Sequence, residues 1–443
     1  MEVSFYDLSG QAEIPSALLQ RTESDLSFFS EKVTPIIEEV RTHGDQALID
    51  FAIKFDGVTV PTFSVKAQPS EFEAAFASLD PEVIETIRYS VENVRAFHEA
   101  QKPEEMWLKE MRPGAFAGDR HVPIEAVACY VPRGKGSFPS VLIMTAVPAV
   151  VAGVPKPIII TPPGPDGTVD AATLVAAQLV GIEEVYKCGG AQGVAAVAFG
   201  TESVPKCLKI VGPGSPWVVA AKQQLTHLLD PGVPAGPSES IILADETVDG
   251  KIAALDLLIE SEHGPDSSAY LVTHSKAVAD AAINALPDYW QQIEPKRMEF
   301  SQAVLCGHHG GVILTDSFEK AIEFVNAYAP EHLEILAKEP MSVMPKIHNA
   351  GEILLGNYTP ISLGNFVLGP NAVLPTNAKA KTAGPLSVFD YMKRISVGYV
   401  TEAGYAELAQ HANRFAHYEG FSGHALAVSK LRDQLLKGDS HES

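Results

Sequence analysis

The sequence is poor in cysteine and in positive charge, and each shortage excludes a class of protein. Its 443 residues include four cysteines, Cys129, Cys188, Cys207 and Cys306, and none of them forms a CxxC pair. The sequence therefore predicts no disulfide framework and favours a reducing, cytoplasmic location. The 33 Lys and Arg residues are outnumbered by 55 Asp and Glu residues, which gives a net charge of −22. Because an acidic chain repels phosphate backbones and anionic lipid, we expect neither nucleic acid nor a membrane as a partner.

The sequence also lacks a convincing membrane span or secretory signal. Its longest uncharged run lies between Lys135 and Lys156 and is almost long enough to cross a bilayer. The run contains three prolines and ends in the strand-like segment PIIIT, so a buried helix followed by a strand is the better interpretation. The first residues, MEVSFYDLSGQAEIP, have no basic region and no apolar region, so we predict no secretory signal.

Short β-rich segments alternate with apolar helices from about residue 125 to residue 360. This alternation predicts an α/β fold with two similar, mainly parallel, incomplete Rossmann-like domains. A Pro/Gly-rich stretch, DPGVPAGPSES, separates the two blocks. The segments before and after them read as helical extensions, and the helical C-terminal part includes SVFDYMKRIS. The predicted regions are a helical region (1–105), an α/β domain (106–236), a second α/β domain (237–375) and a helical C-terminal region (376–443).

A GxGxxG dinucleotide fingerprint is missing, but two glycine-rich segments follow predicted strands. CGGAQG (188–193) carries Gln192, and GPGSPW (212–217) carries Ser215. Both segments lie where a strand leads into a helix, and ligands of open α/β sheets bind at the carboxyl ends of strands. Their backbone amides could hold a phosphate. Each motif alone is nevertheless more typical of an ordinary turn.

Two further segments carry side chains that could bind a metal or transfer protons. In ESEHGPDSS, Glu260 and His263 are three residues apart and share a helix face, a spacing that can place two ligands on one metal. A solvated helix end explains the same spacing. In APEHLE, Glu331 and His332 are adjacent and could divide acid–base work near neutral pH, although an ordinary polar loop fits as well.

Taken in order, nine segments resemble the histidinol dehydrogenase family. They are CYVPRGKGSFPSVLIM, KCGGAQGVAAVAFGT, GPGSPWV, PAGPSES, ESEHGPDS, AYAPEHLEI, GNFVLGPNAVLPT, GPLSVFDYMKR and EGFSGHA. The ordered set spans roughly residues 30–435 and is far more specific than any single motif. The resemblance implies a duplicated α/β fold whose helical extensions are exchanged across a homodimer. It also implies zinc, and oxidation of an amino alcohol to an aldehyde and then to a carboxylic acid with two NAD.

The resemblance assigns a role to each matching side chain. Glu331 and His332 match the catalytic pair. Tyr130 and Gln192 match NAD contacts, and Ser215 stands where the family has an NAD-contacting Asn. The implied zinc ligands are Glu260, His263, Asn365 and His424. The implied substrate contacts are Ser238, Glu260, His263, His332, Asn365, Glu419 and His424.

Several positions depart from the family pattern. The helix-borne zinc ligand, usually Gln, is Glu260, and the usual Asp ligand is Asn365. This exchange keeps two imidazoles, one carboxylate and one carbonyl oxygen, a set that suits Zn²⁺. Upstream, an acidic residue is replaced by Ile361, the His of the family's GPNHVLPT is Ala372, and Arg133 replaces a glycine. An ammonium substrate thus loses polar partners. If Arg133 lines the site, the ammonium also faces an added positive charge. Both changes predict a poor fit for histidinol.

Three hypotheses follow for the activity. The first is a zinc-dependent, NAD-linked dehydrogenase with histidinol, and so histidine biosynthesis, as the default. The second is a paralogue that oxidises another small or anionic alcohol, such as a sulfonated propanediol, a change that Ile361, Ala372 and Arg133 favour. The third, from another class, is a catalytically silent binding protein on the same fold. Retention of Glu331 and His332 argues against the third.

Overall fold

The computed structural model describes residues 2–21, 26–60, 62–133, 136–233 and 236–437. The chain forms two compact units: the larger contains Met1–Lys102 and Ile124–Tyr391, and the smaller contains Pro103–Pro123 and Met392–Ser443. The strands are β1 (Phe5–Asp7), β2 (Met106–Arg112), β3 (Ala115–Pro123), β4 (Ala126–Tyr130), β5 (Lys156–Ile160), β6 (Val185–Tyr186), β7 (Lys209–Val211), β8 (Glu239–Ala244), β9 (Ser268–Thr273), β10 (Gly310–Leu314), β11 (His332–Leu336), β12 (Glu352–Leu355) and β13 (Met392–Val400). The helices are α1 (Leu26–Phe55), α2 (Pro69–Ser78), α3 (Pro81–Gln101), α4 (Pro139–Ala152), α5 (Ala171–Val180), α6 (Gly190–Phe199), α7 (Pro216–Gln224), α8 (Gly250–Ser261), α9 (Lys276–Trp290), α10 (Pro295–Leu305), α11 (Phe318–Tyr328), α12 (Pro340–Val343), α13 (Ile361–Phe366), α14 (Glu402–Tyr418), α15 (Ser422–Ala427) and α16 (Lys430–Lys437).

Two parallel sheets form the core of the larger unit. One has four strands in the order β6-β5-β4-β7, and the other has six in the order β1-β10-β9-β8-β11-β12. Every pair in both sheets is parallel. All residues of β4, β8, β9, β10 and β11 are buried, as is usual for parallel strands covered on both faces. The predicted fold class, two parallel α/β blocks with helical ends, is confirmed.

The apolar run between residues 135 and 156 is a helix and not a membrane span. It forms α4, whose middle is buried, and leads into β5, as predicted. Among the residues that the structure describes, no helix is both long and apolar enough to cross a bilayer.

The N-terminal region is an arm that packs on both sheets. Its helix α1 packs on α6 and α7, and α3 packs on α4 and α5, around the four-stranded sheet. Its first strand, β1, instead pairs with β10 at the edge of the six-stranded sheet. The first 20 residues therefore reach the six-stranded sheet, which carries the predicted acid–base pair.

The smaller unit corrects one prediction. Most of SVFDYMKRIS was expected to be helical, but Met392–Val400 is strand β13, which pairs antiparallel with β3 in the sheet β13-β3-β2. The prediction of a helix was wrong because Ile395, Val397 and Tyr399 alternate along the segment, and β-branched and aromatic side chains favour a strand once a partner edge is available. That edge comes from residues 115–123, which the sequence placed in the first α/β domain.

Candidate active site

The predicted NAD contacts lie together at the carboxyl ends of the four-stranded sheet. Tyr130 is the last residue of β4. In the sheet, β5 and β6 lie on one side of β4 and β7 lies on the other, so the order of the strands changes direction at β4. Open parallel sheets bind ligands at such a point. The Gly190 amide donates to the Tyr130 hydroxyl oxygen at 3.2 Å, and a Cβ at Gly190 would lie 2.6 Å from Gln192 Oε1. Ser215 caps α7, just beyond Gly212, which has φ +109° and where a Cβ would lie 2.3 Å from the Tyr130 carbonyl oxygen.

A buried lysine, which the sequence analysis missed, supports this turn. Lys222 Nζ donates to the Gly212 carbonyl oxygen at 2.8 Å. Burial lowers the pKa of Lys222 to about 8, although the nearby Asp230 carboxylate opposes the shift. A lysine within the apolar stretch VVAAK of α7 was the available signal, because a lysine is rarely buried without a partner.

The guanidinium of Arg133 lies against the loop between β5 and α5. A Cβ at Gly164 would be 2.6 Å from Arg133 Nη1 and 2.7 Å from Asp166 Oδ1. Hydrogen bonds from Thr168 lower the pKa of Asp166, and the Arg133 charge adds to this effect. These contacts are with a glycine and an acidic residue of that loop, so they give no support to Arg133 as the recognition group for an anionic substrate.

The predicted acid–base pair, Glu331 and His332, lies at the amino end of β11 in the six-stranded sheet. His332 begins β11 and stands opposite Glu352, which begins β12. The Nδ1–H of His332 donates to Glu352 Oε2 at 2.9 Å, which leaves Nε2 facing Glu260 Oε1 and Glu331 Oε1, each 3.9 Å away. Glu352 was missed by the sequence analysis, because its partner is 20 residues away and only the strand pairing brings them together.

The three carboxylates around His332 control its charge. Burial alone would lower the pKa of His332, but the charges of Glu260, Glu331 and Glu352 and the bond to Glu352 outweigh burial and raise it to about 9. Burial raises the pKa of Glu331 to about 8, although the His332 charge opposes the shift. The cluster therefore retains protons at neutral pH, and His332 must release one before it can accept another.

The exchanged carboxylate and amide are in direct contact. Glu260 is fully buried; its Oε2 lies 2.7 Å from His263 Nδ1, and its Oε1 accepts from Asn365 Nδ2 at 2.9 Å. Ser238 Oγ is 2.9 Å from the same His263 nitrogen. Burial would raise the pKa of Glu260, but the charges of His263 and His332 dominate and lower it to about 2. Glu260 thus remains a buried anion beside an imidazole and an amide.

These donors fit a zinc ion, although they are an incomplete set in the larger unit. Across the described residues, no three His, Cys, Asp or Glu side chains form a metal-binding group. The larger unit offers one carboxylate, one imidazole and one amide oxygen, from Glu260, His263 and Asn365, which are all donor types that Zn²⁺ accepts. The remaining predicted residues, Glu419 and His424, belong to the smaller unit, and both side chains are exposed.

A second pair of buried acidic residues lies on the same two elements as Glu260 and His332. Asp256 is one turn before Glu260 on α8, and Glu334 is two residues after His332 on β11. Both carboxyl groups are buried. Burial and the charge of Asp256 raise the pKa of Glu334 to about 10, so Glu334 keeps its proton at neutral pH. Within the described residues, neither Glu334 oxygen has a partner at hydrogen-bond geometry.

We expect Glu334→Gln to remove a pH dependence of stability. Folding raises the pKa of Glu334 from its ordinary value of 4.5, so the folded chain binds more protons, and this contribution is lost as pH rises above that value. The amide keeps one donor and one acceptor. Relative to wild type, the variant's free energy of unfolding should therefore rise by about 1–3 kcal/mol between about pH 5 and about pH 9.

Urea unfolding at several pH values measures this difference. Glu299→Gln is the matched control, because Glu299 is exposed on α10 and its replacement should give a flat difference. A flat difference for Glu334→Gln as well would contradict the protonated pair.

Comparison with known proteins decides the family. A family model described as histidinol dehydrogenase matches residues 19–432. The chain belongs to the histidinol dehydrogenase family. A protein named histidinol dehydrogenase homolog from Colwellia psychrerythraea is 62% identical over 433 residues, which cover 98% of this chain and 97% of that protein. A histidinol dehydrogenase from Synechocystis sp. is 45% identical over 419 residues, which cover 95% and 96%.

The fold agrees with this family. The crystal structure of histidinol dehydrogenase from Elizabethkingia anophelis matches with a TM-score of 0.93 at 32% identity, covering 98% of this chain and 99% of that one. The predicted resemblance is therefore confirmed, and membership supports a dehydrogenase activity. The more similar Colwellia protein is named a homolog, whereas the less similar Synechocystis protein has the enzyme's own name.

Proposed function

We propose that this chain is a zinc-dependent, NAD-linked dehydrogenase that oxidises a small alcohol, through an aldehyde, to a carboxylate, and that histidinol is a poor substrate. The observation that carries the activity is His332, which is buried, bonded through Nδ1 to Glu352, and faces Glu331 with Nε2. This is the arrangement that a proton-transfer pair needs. A binding protein without catalysis would have no use for it.

The residues proposed to hold zinc are Glu260, His263, Asn365 and His424. A bound Zn²⁺ supplies Lewis acidity toward the alcohol oxygen. The Glu260 carboxylate would then be neutralised in part, and since its charge is the largest one that raises the pKa of His332, that pKa would fall toward neutrality. His332 would thereby become able to act as a base. The Glu260 charge also contributes to the raised pKa of Glu331, so the same neutralisation would favour the ionised form of Glu331.

The proton-transfer steps are assigned to two side chains. His332 Nε2 would take the hydroxyl proton of the alcohol, while Glu352 holds the ring through Nδ1. The ionised form of Glu331 would then take a proton from the water that adds to the aldehyde. NAD, when bound, would supply the hydride acceptor for both oxidations. We assign Tyr130, Gln192 and Ser215 to NAD binding, because the structure places them at the carboxyl ends of the four-stranded sheet.

The substrate proposal rests on what replaces the family's polar side chains. Ile361 is fully buried and belongs, with Leu257 and Leu354, to the apolar core of the six-stranded sheet, so this position carries neither a charge nor a hydrogen-bonding side chain. Ala372 is half-buried and offers no hydrogen bond from its side chain. An imidazole-bearing ammonium would lose partners at both positions. Ser238 and Glu419 are the polar contacts that we propose remain.

Two candidate substrates are compared in one experiment. Histidinol, and hence histidine biosynthesis, is favoured by the 45% identity to the Synechocystis histidinol dehydrogenase. A sulfonated propanediol represents the anionic alcohols. The test is NADH formation by zinc-loaded protein with each alcohol and without any. Failure of every small alcohol to give NADH, in protein that is folded and loaded, would favour a silent binding protein.

Removal of one proposed ligand should abolish metal loading. We expect dialysed wild-type protein to retain about one Zn²⁺ per chain, and His263→Ala to retain less than about a tenth of that, because the variant keeps only one imidazole and one carboxylate beside an amide oxygen, which is a weak zinc ligand. Elemental analysis measures the loading. His424→Ala should behave like His263→Ala, whereas His227→Ala, at an exposed position, should load normally. Full loading of His263→Ala would disprove the assignment.

We also propose that the chain forms a homodimer through its smaller unit, in the cytoplasm. The described part of that unit exposes many large apolar side chains, and such surfaces mark interaction sites. They include Met106, Trp107, Leu108, Met111, Ile395, Tyr399, Phe415, Tyr418, Phe421, Leu426, Leu435 and Leu436. The thiols of all four cysteines are free, which favours a reducing compartment.

A further inference from the structure

An arginine from the N-terminal arm is buried beside the proposed acid–base pair. The side chain of Arg21 is 9% exposed and its guanidinium lies 3.6 Å from the centre of the Tyr328 ring. Its Nε and Nη2 contact Glu239 Oε1 and Oε2, each at 3.3 Å. Such a two-point contact uses the planar fork that distinguishes Arg from Lys.

The same guanidinium holds the backbone that leads into Glu331. Arg21 Nη2 donates to the carbonyl oxygen of Tyr328 and also, at 3.4 Å, to that of Ala329. Ala329 has a positive φ of 57°, a left-handed conformation that non-glycine residues rarely adopt. Pro330 and Glu331 follow at once. The arginine therefore stabilises a strained turn whose next side chains are the acid–base pair.

The other partner of Arg21 contacts the Glu331 carboxylate itself. The backbone N–H of Glu239 donates to Glu331 Oε2 at 2.9 Å. Glu239 is also held by a second segment, because its Oε1 accepts a hydrogen bond from the Asn377 amide at 2.6 Å. Arg21 thus acts on Glu331 indirectly in two ways. It stabilises the turn that precedes Glu331, and it binds the side chain of Glu239, whose backbone N–H donates to the Glu331 carboxyl group.

We propose that Arg21 is a positioning residue that orients the Glu331 carboxyl group for the water-activating step. This inference rests on the proposed function. In that step an O–H bond of water breaks, the water oxygen bonds to the aldehyde carbon, and the π electron pair of the C=O bond moves to the aldehyde oxygen. The proton passes to the ionised Glu331 carboxylate. The alcohol step uses His332, which is held separately by Glu352, so loss of Arg21 should affect the two oxidations unequally.

The test compares the two half-reactions in Arg21→Met and wild type. L-Histidinol and a sulfonated propanediol are both supplied, and NADH and released aldehyde are counted per alcohol consumed. We expect aldehyde oxidation to fall by about tenfold or more, while alcohol oxidation changes by less than about threefold, so aldehyde accumulates. Arg21→Lys, which keeps the charge but loses the fork, should fall between the two. Arg41→Met, at an exposed position of α1, should match wild type.

Equal slowing of both steps, or no effect on either, would overturn the proposal. Because Arg21→Met leaves the Glu239 carboxylate buried and unpaired, the double variant Arg21→Met/Glu239→Gln is measured beside it, and the same inequality is expected there. Amide hydrogen exchange supplies a readout that needs no substrate: both variants should exchange faster at residues 329–333 than wild type, and unchanged exchange would also overturn the inference. If wild type forms no NADH from either alcohol, the proposed function fails while the exchange result still decides the positioning role.

Discussion

His332→Ala is expected to lower turnover by about 100-fold or more, the usual cost of losing a general base. The imidazole is buried, its Nδ1 is bonded to Glu352, and its Nε2 faces the two carboxylates of Glu260 and Glu331. Among the described residues, no other imidazole is bonded to Glu352, so no second histidine is held in the same way. Steady-state NADH formation with the best alcohol found for the wild type measures the effect.

Two companion variants make this result specific. Glu352→Gln should cost much less than His332→Ala, because the amide oxygen can still accept from Nδ1 and only the charge is lost. His43→Ala, on the exposed face of α1, should leave turnover unchanged. Turnover near that of wild type in His332→Ala would exclude the proposed role.

Histidinol is expected to be a poor substrate, with kcat/KM below about 10⁴ M⁻¹s⁻¹, the lower end of the usual enzyme range. Ile361 and Ala372 stand where the family has an acid and a histidine, and each lost polar contact costs about 1–3 kcal/mol. The two together, about 2–6 kcal/mol, should reduce efficiency by about 30-fold or more against a substrate that does not need them. Steady-state kinetics with histidinol and a sulfonated propanediol measure the ratio, and a histidinol value above that limit would refute the prediction.

The converse experiment restores the family residues at positions 361 and 372. The family acid and histidine could both be restored as Ile361→Glu with Ala372→His, but Ile361 is fully buried and its backbone lies close to Glu334. A third carboxylate near Asp256 and Glu334 would be costly to bury. Ala372 is half-buried, so Ala372→His alone is the cleaner variant. We expect it to raise histidinol activity several-fold, with the double variant tested only where it folds.

Local patterns in the sequence were enough to predict the α/β class and to single out several residues that the structure brings together. Alternating strands and helices are a property of neighbouring residues, and so is the helical spacing of Glu260 and His263. Glu331 and His332 are adjacent in the chain, and the structure keeps them together at the start of β11. The exchange between Glu260 and Asn365 was inferred from the family pattern across 105 residues, and the two side chains are in contact.

Contacts between distant segments were beyond such patterns. Glu352 becomes the partner of His332 only because β12 pairs with β11 in one register. Arg21 reaches Glu239 across 218 residues, and β13 forms only because β3 offers it an edge. The charge states follow the same rule: the sequence names the carboxylates, but burial and separation set whether each keeps its proton. A sequence specifies which groups are present and their local periodicity, whereas chain folding sets their distances and their exposure to water, and proton affinity depends on both.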